Sequence, residues 1–254
     1  MTTARAIGRS LRIYYPPGRG GRLDAFHRRL LAPGELAFDV GAHVGDRTAS
    51  FRRLGARVVA VEPQPRLARL LRLLFGRDAG VARVAALVGA APGEAVLRLN
   101  SANPTVATAS ADFIAAADGA PGWEGQSWDA EIILPVTTLD ALAATHGRPD
   151  LIKIDVEGYE AVALTGLSFA PRTLSFEFTT IQPGVAFACL DRLAALGYRG
   201  FNACLGESME FVHPAPLDAA GIAAWIGALP PEANSGDVYA SLEPGRITPA
   251  APPA

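Results

Sequence analysis

The sequence predicts an α/β protein in which a parallel sheet is covered by helices on both faces. Short apolar runs typical of strands alternate with segments whose leucines recur at helical spacing, from about residue 36 to residue 242. Such alternation favours parallel strands joined by crossover helices. Half of the 254 residues are hydrophobic and 19% are charged, which is enough apolar sequence for the core of one domain of this class.

The elements follow in a regular order through the first hundred residues. Strands are predicted at residues 36–40, 58–61 and 81–88, and helices at residues 46–54 and 66–75. Pro63 ends the second strand, because proline cannot donate to a strand ladder. A Pro-Gly turn followed by alternating apolar residues predicts a short hairpin or edge strand within residues 90–99.

The remaining chain begins with its least regular part, residues 100–129. The polar residues 100–110 either form turns or close over a bound ligand. Beyond this part, strands are predicted at residues 132–136, 151–156, 173–179, 198–203, 210–212 and 238–242, and helices at residues 139–145, 159–165, 186–196 and 217–229. Gly197 follows one of these helices and suits the left-handed conformation in which many helices end.

Three regions are expected along the chain. Residues 1–34 form an N-terminal extension, with a Pro-Pro/Gly-Gly loop and a short basic helix at residues 23–31 whose charged face is solvated or contacts an acidic substrate. Residues 35–243 form the main domain, and the Pro- and Ala-rich residues 244–254 are expected to be disordered. We find no apolar run of the roughly 20 residues that span a bilayer and no secretory signal, so we expect a cytoplasmic protein without a membrane partner.

Charge and cysteine content exclude two further kinds of site. The formal net charge is -2, whereas an extended nucleic-acid surface requires a clear basic excess, so no nucleic-acid partner is expected. The two cysteines, Cys189 and Cys204, show no metal-ligand or redox spacing. They are expected to be small, buried apolar residues.

The segment FDVGAHVGDRT, residues 38–48, is typical of a nucleoside-binding site. A buried strand leads into a turn bracketed by Gly41 and Gly45, and Glu62 closes the next strand. Glycines let the backbone approach a ligand, and a carboxylate at that position accepts hydrogen bonds from ribose hydroxyls. The spacing differs from the G-x-G-x-x-G of nicotinamide-binding proteins, and Asp39 beside the loop suits the cationic S-adenosylmethionine (SAM). We therefore expect SAM as the cofactor.

The same two segments contribute further candidate cofactor-binding residues. His43 and Thr48 lie in or just after the glycine loop, and Pro63 follows Glu62. His43 either contacts the cofactor or merely fills its position. The alternative for the glycines is that they only permit a tight turn from strand to helix.

A second group of charged residues lies in LIKIDVEGYE, residues 151–160. Lys153 interrupts an apolar strand, and because an unpaired buried ammonium is costly, Lys153 is expected to be paired or to extend its ammonium to water. Asp155 and Glu157 are candidate catalytic residues, of which Asp155 could orient or deprotonate an acceptor group. The alternative for both is capping of the following helix, where a carboxylate stabilises the helix dipole.

Glu177, in TLSFEFTT, is the third candidate catalytic residue. With Asp39, Glu62 and Asp155, it places four carboxylates at the ends of predicted strands, where ligands bind in parallel sheets. Glu177 could form an acceptor pocket, pair with Lys153 or join Asp155 in holding a divalent metal. Because no His or Cys ligands accompany it, no metal site is predicted.

Together these segments resemble the FkbM family of SAM-dependent methyltransferases. The resemblance extends from about residue 36 to residue 242 and rests on FDVGAHVGDRT, VVAVEPQP, AALVGAAPGEAVL, VTTLDAL, LIKIDVEGYEAVALTGL and SGDVYA. VTTLD followed by KIDVEGYE is its most specific part, whereas the glycine loop alone is a weak motif. His43 stands where many members have Asn, and imidazole is bulkier but can also form hydrogen bonds.

The resemblance implies a class I SAM-dependent methyltransferase fold, which is Rossmann-like. Its sheet has seven strands, mostly parallel, with a reversed last strand at SGDVYASL. It also implies SAM as cofactor and O-methylation as the usual activity, often on sugars or natural-product hydroxyls. By position, the residues that match the family's cofactor loop, ribose-binding acid and KIDVEG motif are Asp39, Gly41, Gly45, Glu62, Asp155 and Glu157.

The sequence therefore predicts a SAM-dependent methyltransferase that acts on a hydroxyl of a small molecule, sugar or glycan. A nicotinamide-dependent oxidoreductase is disfavoured, because neither G-x-G-x-x-G nor an evident Tyr/Lys or His relay occurs. The second alternative is a SAM-binding protein without catalytic activity. The presence of all four carboxylates at predicted strand ends counts against it.

Overall fold

A computed structural model describes residues 3–249 of the chain. The strands are β1 (Leu36–Val40), β2 (Arg57–Val61), β3 (Val81–Val84), β4 (Leu87–Val88), β5 (Gly93–Leu99), β6 (Ala130–Thr137), β7 (Leu151–Ile154), β8 (Thr173–Thr179), β9 (Gly200–Leu205) and β10 (Ser235–Ser241). The α-helices are α1 (Thr3–Tyr14), α2 (Arg19–His27), α3 (Asp46–Arg53), α4 (Pro65–Phe75), α5 (Ala111–Ala117), α6 (Leu139–His146), α7 (Glu160–Thr165), α8 (Pro183–Ala195) and α9 (Ala219–Gly227). Short 3-10 turns lie at Pro104–Val106, Pro231–Ala233 and Pro244–Ile247.

The main sheet has seven strands in the order β3-β2-β1-β7-β8-β10-β9. The neighbouring strands β3, β2, β1, β7 and β8 run parallel to one another, whereas β10 lies between β8 and β9 and is antiparallel to both. The expected seven-stranded, mostly parallel sheet with a reversed last strand is therefore confirmed. The chain proceeds outward from β1 to β3 and then crosses back to β7, so the order reverses between β1 and β7. Ligand-binding crevices form at such a point, beyond the carboxyl ends of the strands.

Charged residues collect on one face of the sheet near its carboxyl end. Asp39 and Lys153 are register partners in β1 and β7, and Glu177 and Asp237 are register partners in β8 and β10. Lys153 is also the register partner of Ser175 in β8, two positions before Glu177. Since side chains alternate faces along a strand, all four lie on the same face.

Helices cover both faces of the sheet, as predicted. On one face, the core includes side chains from α6, α7, α8 and α9, among them Leu142, Leu164 and Leu190. On the other face, which carries the charged residues, it includes Phe26 of α2 and Phe51 of α3. Because both faces are covered, every residue of β1 and β7 is buried, which explains their mainly apolar sequences.

A smaller sheet, of order β4-β6-β5, accounts for two differences from the prediction. The strand predicted at residues 81–88 is interrupted at residues 85–86 and forms both β3 and β4. The strand predicted at residues 132–136 is β6, which pairs with β4 and β5 instead of joining the main sheet. Apolar side chains of these strands, such as Leu87 and Leu97, form a small core of their own.

The N-terminal extension also differs from the prediction, because it contains two helices and is part of the fold. The second of them, α2, begins and ends earlier than the helix predicted at residues 23–31. Leu23 and Phe26 on its inner face are buried. Within α1, the buried residues are Ala6 and Ser10, and its apolar residues recur at helical spacing, a signal that the prediction from sequence missed.

Two late segments differ as well. Residues 210–212, predicted to be a strand, form a bend. In the tail expected to be disordered, Pro244–Ile247 forms a 3-10 turn in which Ile247 is fully buried, since it fills the core on the α2 side of the sheet. The carbonyl of Ile247 accepts a hydrogen bond from the Asn202 side chain at 2.8 Å. Residues 250–254 of the tail lie outside the described residues.

The two cysteines form no disulfide. Cys189 and Cys204 are buried and free, as their spacing predicts. Burial raises the pKa of both thiols, so neither is a ready nucleophile at neutral pH. Among residues 3–249, no helix combines the length and apolar composition needed to cross a bilayer.

The contribution of the buried His27 to the stability of the protein is expected to fall as the pH is lowered. The single hydroxyl proton of Ser50 is donated to Asp24, so His27 Nδ1 donates to Ser50 Oγ at 2.8 Å. Burial lowers the pKa of His27 to about 3, and the positive charge of Arg47 adds to this effect. Below about pH 6.5, the ordinary pKa of histidine, His27 binds a proton in the unfolded chain but not in the folded protein. Its contribution to stability therefore falls as the pH falls, by up to about 1.4 kcal/mol per pH unit.

This prediction is tested by urea unfolding between pH 7.5 and pH 5. His27→Asn retains an N–H donor toward Ser50 and has no titrating ring, so its stability relative to wild type should rise as the pH falls, by up to about 1.4 kcal/mol per unit. The buried carboxyls Asp39 and Glu62, whose raised pKa values act in the opposite direction, are common to both proteins. Equal slopes in the two proteins would show that His27 does not cause the effect.

Candidate functional site

A cleft opens at the carboxyl end of the sheet, beside β1, β2 and β7. Seven of the predicted site residues line it, namely Asp39, Gly41, His43, Glu62, Pro63, Asp155 and Glu157. Glu177 lies close behind, since carboxylate oxygens of Asp155, Glu157 and Glu177 are within 4.8 Å of one another. The two remaining candidates, Gly45 and Thr48, are buried beside the cleft rather than in its wall.

Gly41 lets the chain turn sharply where β1 meets the cleft. Its φ is 83°, and a Cβ at this position would lie 1.7 Å from the carbonyl oxygen of Asp155. The N–H groups of Gly41 and Ala42 both donate to the carbonyl of Val61, at 2.9 Å and 3.0 Å. The loop is therefore pinned to β2 and packed directly against the segment after β7.

Gly45 and Thr48 support this loop from below. A Cβ on Gly45 would lie 2.6 Å from the ring of Phe75 and 2.8 Å from Leu71, so the glycine permits close packing against α4. Thr48 is fully buried, and its hydroxyl donates to Asp39 Oδ2 at 2.5 Å. Neither residue lies in the cleft wall, and direct cofactor contact by either of them stays a prediction.

Asp39 is a buried carboxylate at the cleft wall, only 2% exposed. Burial raises the pKa of its carboxyl to about 6, although the hydrogen bond from Thr48 works in the opposite direction. An ionised group in this position is incompletely compensated by the protein. A cationic ligand in the cleft would therefore stabilise its charged form.

Glu62 holds the glycine loop in shape. Its Oε2 accepts a hydrogen bond from the His43 N–H at 2.9 Å, and its Oε1 accepts one from the Gln64 N–H at 2.8 Å. Burial raises the pKa of Glu62 to about 8 despite these two bonds. Each carboxylate oxygen can accept a second hydrogen bond, so ribose hydroxyls have acceptors at this edge of the cleft.

His43 is placed between the loop and the N-terminal extension. Its φ is 47°, and its ring lies edge-on to the ring of Tyr14, with centroids 5.3 Å apart. Burial lowers the pKa of His43 to about 4, so the ring is neutral at physiological pH. Its Nε2 is buried without a hydrogen-bond partner among the described residues, which leaves it available to a ligand.

The donor and acceptor set of the cleft fits SAM. Small and aliphatic side chains from the β4–β5 side line one wall and can hold a purine ring: Ala86, Leu87, Leu97 and Ala107. Glu62 offers acceptors for ribose hydroxyls, and Asp39 and Asp155 offer negative charge toward an ammonium and a sulfonium. The close approach of backbone at Gly41 leaves this space open.

Lys153 is paired, which was one of the two expectations for it. Its Nζ donates to Asp155 Oδ2 and to Asp237 Oδ1, both at 3.0 Å. No ion pair joins it to Glu177 among residues 3–249. Burial opposes ionisation of Lys153, but the two carboxylates outweigh it and raise the pKa of Lys153. Asp237 was not predicted as a site residue, although its motif SGDVYA was recognised.

Among residues 3–249, neither Asp155 nor Glu157 forms a capping hydrogen bond with the following helix. The Tyr159 side chain, at the residue that precedes α7, forms none either, and the Val156 N–H donates to Glu160. Burial raises the pKa of Glu157 well above its usual range, and the negative charge of Asp155 adds to it. For Asp155, burial is outweighed by the ammonium of Lys153, so its pKa is lowered. Their catalytic roles stay predictions.

An ion-pair network that was not predicted closes one side of the cleft. Arg47 pairs with Asp46 and Glu207, both at 2.6 Å, and Arg19 pairs with the same two carboxylates at 3.3 Å and 2.8 Å. Arg19 also lies over the ring of Tyr14, which lines the cleft. Asp46 and Arg47 lie inside the glycine-loop motif, whereas Tyr14 and Glu207 carry no local signal.

Turn chemistry is confirmed for the first part of residues 100–110, whereas closure of the segment over a ligand stays a prediction. The Asn100 side chain accepts hydrogen bonds from the second and third N–H groups that follow it, at 3.1 Å and 2.9 Å, which is turn chemistry. Thr105, Ala107 and Ala109 line the cleft. The segment therefore forms part of the wall that a ligand would contact.

Comparison with solved structures finds proteins of similar shape and low sequence identity. A methyltransferase FkbM from Methylobacillus flagellatus KT is 11% identical with a TM-score of 0.47, over 93% of this chain and 58% of that chain. A TehB-like SAM-dependent methyltransferase from Corynebacterium glutamicum ATCC 13032 is 12% identical with a TM-score of 0.46, over 92% of each chain. An O-methyltransferase from Bacillus cereus in complex with S-adenosylhomocysteine (SAH) is 13% identical with a TM-score of 0.43, over 94% and 91%.

Comparison of the sequence itself is decisive for the family. No curated protein matches it significantly. The family model described as the methyltransferase FkbM domain, in contrast, matches residues 39–202, which is well over half of the chain. The match begins at the carboxylate of the glycine loop and includes both groups of predicted site residues. The chain belongs to the FkbM family of SAM-dependent methyltransferases.

Proposed function

We propose that this protein transfers the methyl group of SAM to a hydroxyl of a small molecule, sugar or glycan. One arrangement carries the proposal. A nucleoside-type half-site, with Gly41 and Glu62, and a carboxylate pair, Asp155 and Glu157, face into the same cleft. A cofactor and an acceptor can therefore be bound side by side in this cleft.

The half-site around Gly41 would bind the cofactor. Gly41 brings backbone close to the ligand, and Glu62 accepts hydrogen bonds from the ribose. Asp39 adds negative charge below the loop, and the free Nε2 of His43 offers a further polar contact. When bound, SAM supplies a methyl group made electrophilic by its sulfonium.

Asp155 would act on the acceptor. Its side chain is 32% exposed at the end of β7 and is held by Lys153. There it can accept a hydrogen bond from the acceptor hydroxyl and aim the oxygen at the methyl carbon, which is the main requirement for transfer. It takes the hydroxyl proton as the carbon–oxygen bond forms and the carbon–sulfur bond breaks, which leaves a neutral thioether.

Thermal unfolding with ligands tests the cofactor half of the proposal. SAM and SAH should each stabilise the protein, by about 2.7 kcal/mol when the ligand is at a hundred times its Kd, whereas NAD should not. Glu62→Ala should lose this stabilisation, because it removes both the ribose acceptor and the anchor of the loop. Glu62→Gln keeps one carbonyl oxygen and should lose less.

Glu94→Ala is the matched control, because Glu94 is an exposed carboxylate on β5 outside the cleft. Stabilisation by NAD alone, or an undiminished SAH effect in Glu62→Ala, would contradict the proposal. Catalysis is tested with SAM carrying an isotopic label in its methyl group and a panel of hydroxylated sugars and glycans. SAH binding without transfer to any acceptor would favour the SAM-binding protein without activity.

A further inference from the structure

Three carboxylates converge at the acceptor side of the cleft. Each of Asp155, Glu157 and Glu177 offers an oxygen within 4.8 Å of the other two. Glu177 belongs to β8, and Asp155 and Glu157 lie in the turn that follows the neighbouring strand, β7. Like charges at such distances repel strongly when water is largely excluded.

The protein does not satisfy these groups by itself. Glu157 is 7% exposed, and no residue among 3–249 forms a hydrogen bond or an ion pair with its carboxylate. Glu177 Oε2 is also buried without a hydrogen-bond partner in the same part of the chain. Buried polar groups are normally paired, so the unpartnered Glu177 Oε2, close to the carboxylates of Asp155 and Glu157, points to a missing ligand.

The charge balance indicates that the ligand is a cation. The nearby ammonium, that of Lys153, is shared between Asp155 and Asp237. One ammonium thus faces four carboxyl groups when Glu157 and Glu177 are included, and these two glutamates can both be ionised only if a further cation is present. Carboxylate oxygens without His or Cys are the ligand set that Mg²⁺, Mn²⁺ and Ca²⁺ prefer.

The spacing agrees with a single ion. Oxygen ligands lie about 2.1 Å from Mg²⁺ and about 2.4 Å from Ca²⁺, so ligands on opposite sides of one ion are about 4.2 to 4.8 Å apart. The three oxygens fall within this span. They can therefore contact one ion with little rearrangement.

We infer that Asp155, Glu157 and Glu177 form a binding site for a divalent cation with oxygen ligands. Asp155 and Glu157 line the cleft, so the ion has an open side toward the acceptor. There it would bind the acceptor oxygen and make its hydroxyl more acidic, a role that rests on the proposed function. The proposed site departs from the prediction from sequence, which considered a metal at Asp155 and Glu177 and predicted none because no His or Cys ligands accompany them.

Mn²⁺ binding tests the site without any acceptor or cofactor. Full-length protein is stripped with EDTA, exchanged into metal-free buffer and titrated with Mn²⁺, and the free ion is measured by electron paramagnetic resonance. We expect saturable binding of one Mn²⁺ per chain, with competition by Mg²⁺ or Ca²⁺. Glu157→Gln and Glu177→Gln should each raise the Kd at least about tenfold, because each removes a charged ligand and keeps the side-chain shape.

Glu131→Gln is the control, since its side chain is 62% exposed and outside the cluster. Circular dichroism verifies that each variant is folded. No saturable binding in wild type, or an unchanged Kd in both cluster variants, would overturn the inference and indicate that Glu177 shares a proton with Asp155 instead.

The experiment separates this inference from the proposed function. SAH stabilisation is measured on the EDTA-treated protein, so it does not depend on the ion. Protein that binds Mn²⁺ at the cluster but not SAH would refute the proposed function and leave the cation site intact. Protein that binds SAH but not Mn²⁺ would refute the cation site and leave the proposed function intact.

Discussion

Lys153→Met is expected to destabilise the protein by about 3–5 kcal/mol, because removing one partner of a buried ion pair leaves the other charge uncompensated. Lys153 is 4% exposed and bonds Asp155 and Asp237 at 3.0 Å each. It is also the only lysine of the chain, since all the other basic side chains among its 23 Lys+Arg are arginines. Methionine has a similar length and fills the same space, so the substitution mainly removes the ammonium.

Urea unfolding in buffer with EDTA measures this effect, since the chelator prevents a metal ion from replacing the lost charge. The double variant Lys153→Met/Asp237→Asn should recover part of the stability, because it also removes one of the two stranded carboxylates. Asp237→Asn alone leaves the pair between Lys153 and Asp155 intact and should cost less than Lys153→Met. A loss below about 1 kcal/mol in Lys153→Met would contradict the prediction and place the pair among the weak surface ion pairs.

The central strands of the main sheet could be predicted because they are covered on both faces. β1 and β8 have the predicted bounds, and apolar runs of this kind are distinct from helical periodicity. The small sheet could not be predicted, because the residues of β6 alternate in a way that suits either sheet. Which strand pairs with which is decided by long-range packing, here by the apolar side chains shared with β4 and β5.

The cofactor side of the site could be recognised from the sequence because its parts lie close together in the chain. Gly41 and Glu62 are 21 positions apart in one strand–turn–helix–strand unit, whose geometry is nearly invariant. Spacing does not indicate what a side chain contacts, however. Gly45 and Thr48 occupy the motif, yet they face α4 and Asp39 rather than the cleft.

The opposite wall of the cleft could not be predicted, since its contacts join distant parts of the chain. Arg19 and Glu207 are 188 positions apart and carry no motif. Asp237 is an intermediate case. The sequence indicates that Lys153 needs a partner and offers Glu177 as one candidate. The register of β8 and β10 places Asp237 opposite Glu177, and Lys153 pairs with Asp237. Which of these two carboxylates pairs with Lys153 is decided by the pairing of the strands.

Gly41→Ala is expected to abolish SAH binding and to destabilise the protein by more than about 3 kcal/mol, the upper range of ordinary overpacking. The new Cβ would lie 1.7 Å from the Asp155 carbonyl oxygen, which belongs to the backbone and cannot rotate away. Either β1 and β7 separate at the cleft, or the loop lifts from Val61 and moves away from Glu62. Both movements disturb the cofactor half-site.

Two further glycines separate the causes of this effect. Gly119 has a φ of 73°, but a Cβ added there would have no atom within 4 Å, so Gly119→Ala carries the cost of the backbone conformation without a clash. Gly45 also has a positive φ, of 80°, but the atoms nearest to a Cβ there belong to the side chains of Phe75 and Leu71, which can shift in Gly45→Ala. Urea unfolding should rank Gly41→Ala as the most destabilised, and Gly119→Ala should bind SAH normally. If Gly41→Ala were as stable as Gly119→Ala and bound SAH equally well, the prediction would be wrong. The shape of the cleft would then not depend on a glycine beside the Asp155 carbonyl.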